Sequence, residues 1–139
     1  MDMPAVTEAP MTPEQRAADL LQDWQRGNVM AADCPSRLIL QHMTSRWGTL
    51  VMITLMTGTH RFSALRRQIG GVSERMLAQT LQLLEADGMV ERRAFDVVPP
   101  HVEYCLTPMG RQAAAHLVAL TSWIEGNLPA LLEGVAKAA

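Results

Sequence analysis

The chain has 139 residues, of which 48% are apolar and 19% are charged, so it has the size and composition of one globular domain with its own core. Its apolar runs are about four residues at most, too short for a membrane helix, and the acidic N-terminus lacks an export signal. We therefore expect a cytoplasmic protein in which the two cysteines, Cys34 and Cys105, are free thiols rather than a disulfide scaffold.

The net charge of −2 hides an uneven distribution along the chain. Residues 1–33 carry two arginines against six acids, whereas residues 34–111 carry nine arginines against six acids. Arginine has a planar guanidinium group that suits bidentate binding of phosphate or of guanine. The middle of the chain is therefore basic although the whole chain is slightly acidic.

Three helices are predicted in the first part of the chain. Thr12-Pro13-Glu14-Gln15 combines a capping residue, proline at the first helical position and glutamine three residues after the cap, so a helix begins there and runs to about Arg26. Its apolar residues form one stripe at spacings of three and four, namely Ala17, Leu20, Leu21 and Trp24. A second helix is predicted over residues 34–43 and a third over residues 45–57.

The next segment has the pattern of a helix-turn-helix. Ser63 to Gln68 predicts a short helix, Gly70-Gly71 a turn, and Ser73 to Asp87 a longer helix that Ser73 caps and Gly88 ends.

After Gly88 the apolar period changes from 3.6 to 2. Residues 89–95 and 102–106 predict two strands, and Pro99-Pro100 between them predicts the tip of a hairpin, because proline cannot pair in a ladder. Thr107-Pro108 repeats the cap-plus-proline signal and begins a long helix through Ile124. A further helical stretch is expected over residues 127–136.

The helix from Ser73 carries the main functional signal. Leu77, Leu81 and Leu84 form its core stripe, and the opposite face presents side chains that can read bases: Arg75, Gln79 and Gln82, with Ala78 and Ala86 beside them. Arginine matches guanine, glutamine matches adenine, and the Ser73 hydroxyl at the helix start could hold a phosphate. Taken alone, this face is more typical of an amphipathic surface helix that shows polar side chains to water.

The order of the predicted elements resembles a winged helix-turn-helix. At residue level the chain resembles the HxlR-type family of bacterial transcriptional regulators over about residues 34–123. The matching motifs are Cys34-Pro35, Trp47 before an apolar helix, Arg61-Phe62-Ser63-Ala64-Leu65-Arg66, Val72-Ser73-Glu74-Arg75-Met76-Leu77, Leu84-Glu85-Ala86-Asp87-Gly88-Met89-Val90, Val98-Pro99-Pro100-His101-Val102-Glu103-Tyr104 and Leu106-Thr107.

The resemblance implies a mainly α fold with a small β-hairpin wing and a function in transcription rather than catalysis. It implies homodimers that bind palindromic operators, with the recognition helix (73–87) in the major groove and the wing (89–106) at the minor groove. Two positions depart from the family pattern, because Gln82 and His101 stand where such proteins often carry basic residues. The predicted division is a helical extension (1–33), a DNA-binding domain (34–107) and a C-terminal dimerisation helix (108–139).

Several basic residues are candidates for contacts to phosphate or from the wing. They are Arg61, Arg66, Arg67, Arg93 and His101. Each could instead be a solvated or internally paired charge, and His101 an exposed loop residue. Arg92 and Arg93 are adjacent on a strand and point to opposite faces, so at most one of them can face DNA.

The long C-terminal helix has an apolar stripe wider than its own core requires, which predicts a helical homodimer interface. The interface candidates are Leu20, Leu21, Trp24, Leu117, Leu120, Trp123 and Ile124. The alternative is that both stripes fold onto the chain's own core.

Cys34 is the candidate for redox sensing. It precedes a helix start and lies near Arg37, where the helix dipole and a cation favour the thiolate; a small buried apolar role is the alternative. An oxidant or a small molecule is thus a candidate effector. Neither a cofactor, a metal site nor an enzymatic site is predicted. The alternative to DNA recognition is a winged helix that serves only for dimerisation or protein docking.

Overall fold

The computed structural model describes residues 9–22 and 29–138. These residues divide into two compact units, 1–40 and 41–139. Of the helices within the described ranges, none combines the length and hydropathy that a bilayer crossing requires.

The described residues form helices and a small sheet. In chain order the elements are α1 (Pro13–Gln22), α2 (Pro35–Met43), α3 (Arg46–Leu55), β1 (His60–Arg61), α4 (Phe62–Gln68), α5 (Glu74–Ala86), β2 (Val90–Phe95), β3 (His101–Leu106), α6 (Pro108–Gly126) and α7 (Leu128–Ala138). This order confirms the predicted winged helix-turn-helix. The strand β1 was not predicted, because two residues are too short to show a period.

The helix starts follow the predicted caps. In α1 the backbone N–H of Gln15 donates to Thr12 Oγ1 at 3.1 Å, and the N–H of Thr12 donates to Gln15 Oε1 at 2.8 Å, which is a reciprocal capping box. The hydroxyl oxygens of Ser45, Ser73 and Thr107 accept N–H bonds at the starts of α3, α5 and α6. Each cap satisfies a donor that the helix itself leaves free.

The sheet is antiparallel with the strand order β1-β3-β2. Val90 pairs with Leu106 at the base of the hairpin, and Phe95 pairs with His101 near its tip. The tip is formed by residues 96–100, where Pro99 and Pro100 lie outside the ladder as predicted. The hairpin is the wing of the fold.

The core of the 41–139 unit is formed by the buried faces of several helices and strands that pack against one another. Its fully buried side chains come mainly from α3 and α5, among them Met52, Leu55, Leu65, Leu77, Leu81 and Leu84. Burying one such side chain contributes about 1.5 to 3 kcal/mol to folding. The first half of α6 adds Ala114 and Leu117 to the same core.

Leu117 therefore requires a correction. Its side chain is 8% exposed and packs in the core of its own chain, so it is not available to a partner. The apolar stripe of α6 begins as core and becomes surface only further along the helix.

The turn between α4 and α5 depends on glycine. Gly71 has φ of +86°, a conformation that a side chain disfavours. The turn lies beside Trp47 of α3, since a Cβ atom on Gly71 would be 3.6 Å from that ring. The helix-turn-helix is thus fixed against α3, which holds the start of α5 in place.

Candidate nucleic-acid interface

The outer face of α5 is free of the protein's own core. The side chains of Arg75, Gln79 and Gln82 are exposed, and the buried residues of α5 lie on the other side: Leu77, Thr80, Leu81 and Leu84. At 100° per residue the two sets are centred on opposite faces. The bidentate side chains identified from the sequence therefore project away from the body of the domain.

Ser73 has a defined structural role at the start of this helix. Its backbone is extended, and its Oγ accepts the N–H of Met76 at 3.1 Å. The hydroxyl hydrogen remains a donor. Ser73 thus caps α5 and can still donate to a phosphate oxygen.

Basic side chains of α4 lie close to the start of α5. Arg66 and Arg67 line a depression of about 440 Å³ together with Phe62, Ser63 and Glu74. Arg66 Nη1 lies 3.7 Å from the Glu74 carboxylate, and both side chains are exposed, so this ion pair is weak. Arg61 lies in β1 and not on the helix, but it directly precedes α4 and is exposed.

The two arginines of the wing point to opposite faces, as predicted. Arg92 lines a depression of about 420 Å³ with Ala78, Gln82 and Glu85 of α5 and with Tyr104. Arg93 lies on the other face, where its Nη2 is 3.2 Å from a carboxylate oxygen of Glu91. Arg92, and not the predicted Arg93, is therefore the wing arginine that lies beside the exposed face of α5.

The face of the wing that carries Arg93, called its outer face here, has several charged side chains that lie close to one another. Arg93 stands opposite Glu103 in the ladder, and its hydrogen bonds hold the pKa of the Glu91 carboxyl below its usual value. His101 Nε2 lies 3.4 Å from Glu103, and its ring stacks on Phe95 with centroids 4.9 Å apart. His101 is thus a partly buried strand residue, which corrects the expectation of an exposed loop residue.

This arrangement of α5 and the wing has counterparts in known proteins. A family model for the HxlR-like helix-turn-helix matches residues 42–131. The uncharacterized HTH-type transcriptional regulator YtfH of Escherichia coli strain K12 is 59% identical over 113 residues, 81% of this chain and 90% of the relative.

The chain belongs to the HxlR-like helix-turn-helix family. A solved structure of the regulator YtfH from Salmonella typhimurium has a TM-score of 0.76 at 57% identity, over 79% of this chain and 98% of that chain. The reduced form of the redox regulator HypR has a TM-score of 0.65 at 33% identity, over 71% of this chain and 98% of that chain. This HxlR-type chain is thus a winged-helix transcriptional regulator, as its family and relatives are.

Cys34 of this HxlR-type regulator is buried at the start of α2. Its side chain is 4% exposed, and its carbonyl oxygen accepts the N–H groups of Arg37 and Leu38. The guanidinium of Arg37 donates to the Met30 carbonyl oxygen at 3.0 Å.

Cys105 lies on the outer face of the wing, with Sγ 3.7 Å from the Glu91 carboxylate. Partial burial raises the pKa of its thiol, and the Glu91 carboxylate raises it further, against an opposing effect of Arg93. The raised pKa favours the thiol of Cys105 over its more nucleophilic thiolate.

The helices at both ends of the described chain expose apolar side chains. On α6 these are Met109 near its start and Leu120, Trp123 and Ile124 near its end, and on α1 they are Leu20 and Leu21. The helix α7 exposes a further set, Leu128, Leu131, Leu132 and Val135, which was not identified from the sequence. Trp24 lies outside the described residues.

One long-range side-chain contact had no signal in the sequence. His42 of α2 lies 2.6 Å from Asp87 at the end of α5, and the two residues are 45 positions apart. The choice between Arg92 and Arg93 also had little signal in the sequence, because apolar residues stand at both parities of this strand.

Proposed function

We propose that this regulator is a homodimer that binds a two-fold symmetric operator, with α5 of each subunit in the major groove. The observation that carries the proposal is the exposure of Arg75, Gln79 and Gln82 on the side of α5 opposite its buried leucines. A helix that presents bidentate hydrogen-bonding groups near its start is the element that helix-turn-helix proteins place against base edges.

Each exposed side chain of α5 has a chemical role in this proposal. Arg75 would donate two hydrogen bonds to O6 and N7 of guanine, and Gln79 and Gln82 would pair with N6 and N7 of adenine. Ala78 and Ala86 have small side chains, so the helix can approach the bases closely there, and their methyl groups can contact the methyl group of thymine.

Phosphate contacts would hold the helix in register. Arg66 and Arg67 on α4 and Arg61 before it would bind one strand of the backbone, and the Ser73 hydroxyl would donate to the same strand. On the wing we assign the contact to Arg92, because it borders the same depression as Gln82. His101 lies next to the tip of the hairpin, so it would come near the minor groove only if that tip enters the groove.

The dimer would bury the apolar side chains that the single chain leaves exposed. Trp123 and Leu120 of α6 are 57% and 54% exposed, and large exposed apolar side chains in a group mark interaction surfaces. Leu20 and Leu21 of α1 would contribute as well. A two-fold axis through such an interface would place the half-sites about 34 to 36 Å apart, or at a multiple of that distance.

Selection of bound duplexes from random DNA tests the proposal, followed by affinity measurements over a salt series. We expect an enriched two-fold symmetric sequence and an affinity that falls steeply as salt rises, because bound arginines release counterions from the phosphates. The absence of enrichment, together with an affinity that salt does not change, would favour the alternative of a protein-docking module.

We also propose that the regulator responds to oxidants through Cys34. The position of Cys34 at the start of α2 supports the proposal, as does the similarity to HypR, which is described as a redox regulator. Because the thiol is buried, its oxidation by a peroxide to a sulfenic acid would place a polar group where an apolar one packs. Operator affinity is expected to change on peroxide treatment in the wild type but not in Cys34→Ser, and equal responses in both would contradict the proposal.

A further inference from the structure

The end of the recognition helix α5 is held by neighbouring elements. Gly88 and Met89 close the helix with N–H bonds to Glu85 O and Leu84 O, both at 3.0 Å. This pair of bonds is a Schellman motif, and it uses the positive φ of +76° at Gly88. The backbone therefore leaves α5 in one fixed direction.

The start of α6 is attached directly to this turn. Thr107 donates from its hydroxyl to Gly88 O at 2.6 Å and from its backbone to Met89 O at 3.1 Å. A Cβ atom on Gly110 would overlap the Met89 carbonyl oxygen, so the first turn of α6 rests on the backbone that follows α5. The recognition helix and α6 are thus joined with little freedom between them.

A side chain from α2 holds the end of α5, where this attachment begins. His42 Nδ1 lies 2.6 Å from Asp87 Oδ2, and the two side chains are only 24% and 14% exposed. Asp87 is the C-cap of α5, where a negative charge is unfavourable against the helix dipole unless a donor or a cation faces it. Because an ionised carboxylate only accepts hydrogen bonds, His42 supplies the donor.

We infer that His42 is a positioning residue that sets the angle between α5 and α6 through Asp87, and thereby the spacing of half-sites that the dimer accepts. The inference rests on the proposed function, in which α6 carries the dimer surface and α5 reads DNA. The group formed by His42, Asp87, Gly88, Thr107 and Gly110 is called the α5–α6 junction below.

Half-site spacing is a sensitive measure of this angle. One added base pair moves a half-site by about 3.4 Å along the duplex and turns it by roughly one tenth of a full rotation. Two recognition helices held rigidly on α6 accept one spacing and reject its neighbours. If the junction loosens, the helices adapt to the neighbouring spacings while their best affinity falls.

The experiment measures dimer affinity for duplexes that carry the selected half-sites at the selected spacing and at one base pair more or less. The discrimination ratio is the Kd at an altered spacing divided by the Kd at the selected one. For His42→Ala we expect about tenfold weaker binding at the selected spacing and a lower discrimination ratio. His42→Asn, which can still donate from a similar place, should restore both, and the exposed neighbour Gln41→Ala is the control.

Asp87→Asn covers the case in which His42→Ala does not fold, as judged by thermal unfolding, because it keeps the size of the side chain but removes the charge that strengthens the hydrogen bond with His42. It should lower the discrimination ratio in the same direction. A discrimination ratio equal to that of the wild type in the folded variants overturns the inference and leaves the proposed function intact. If the wild type selects no operator, the proposed function fails first and the inference with it.

Discussion

The guanidinium of Arg93 lies 3.2 Å from the carboxylate of Glu91, and both side chains are on the face of the wing turned away from α5. Arg93 also stands opposite Glu103 in the ladder, so two carboxylates offset its charge. Arg92 is the next residue, yet it opens onto the depression that α5 forms with β3. Adjacent arginines of one strand thus differ in what they can contribute to DNA binding.

Replacing Arg92 with alanine should weaken operator binding on all sequences alike and reduce the slope of log K against log salt by about 1, the value for one lost phosphate contact. Arg93→Ala is the matched control and should leave the slope nearly unchanged. Affinity measured by fluorescence anisotropy at several salt concentrations gives both slopes. A larger change for Arg93 than for Arg92 would place the other face of the wing on the DNA.

Replacing Arg75 with alanine should cost about 1 to 3 kcal/mol on the selected operator and relax the base preference at one position in each half-site. Gln79→Ala should relax a second position. Four helical residues advance by about 6 Å, so the two positions should be about two base pairs apart. Repeating the selection with each variant identifies the positions at which base preference is lost. An equal loss of affinity on every sequence would mean that Arg75 contacts phosphate and not a base.

The elements that the sequence predicts well are those whose signals are local. The caps at Thr12, Ser73 and Thr107 rest on one side chain and the next three residues, and all three form as expected. The exposed face of α5 follows from the same logic, because its four-residue apolar spacing leaves one side of the helix polar.

What the sequence does not predict depends on which neighbour covers a face. Leu117 and Trp123 lie on the same apolar helix, and periodicity cannot tell a residue that packs in its own core from one left for a partner. The strand β2 has a single buried residue, Val90, so it offers little alternation from which to choose between Arg92 and Arg93. The contact of His42 with Asp87 joins residues far apart in sequence.

Leu117 and Trp123 should respond differently to substitution. Leu117→Ala removes a core side chain and should lower the free energy of unfolding by about 2 to 5 kcal/mol. Trp123→Glu changes a side chain that is 57% exposed, and it should convert the dimer to a monomer that no longer binds the two-fold operator tightly. Chemical denaturation and sedimentation velocity measure the two effects. If the Trp123→Glu variant is still a dimer, this end of α6 is not part of the interface.

Cys105 should react slowly with alkylating agents at neutral pH, because partial burial and the nearby Glu91 carboxylate both raise the pKa of its thiol. Glu91→Gln removes the like charge near the sulfur and also removes one of the two carboxylates that offset the charge of Arg93, so the thiolate fraction should rise. Because the thiolate is the nucleophile, the alkylation rate should increase a few-fold. The rate is measured in a Cys34→Ser background, where Cys105 is the remaining cysteine, and Glu125→Gln serves as the control. A rate that Glu91→Gln leaves unchanged would mean that burial alone keeps Cys105 protonated.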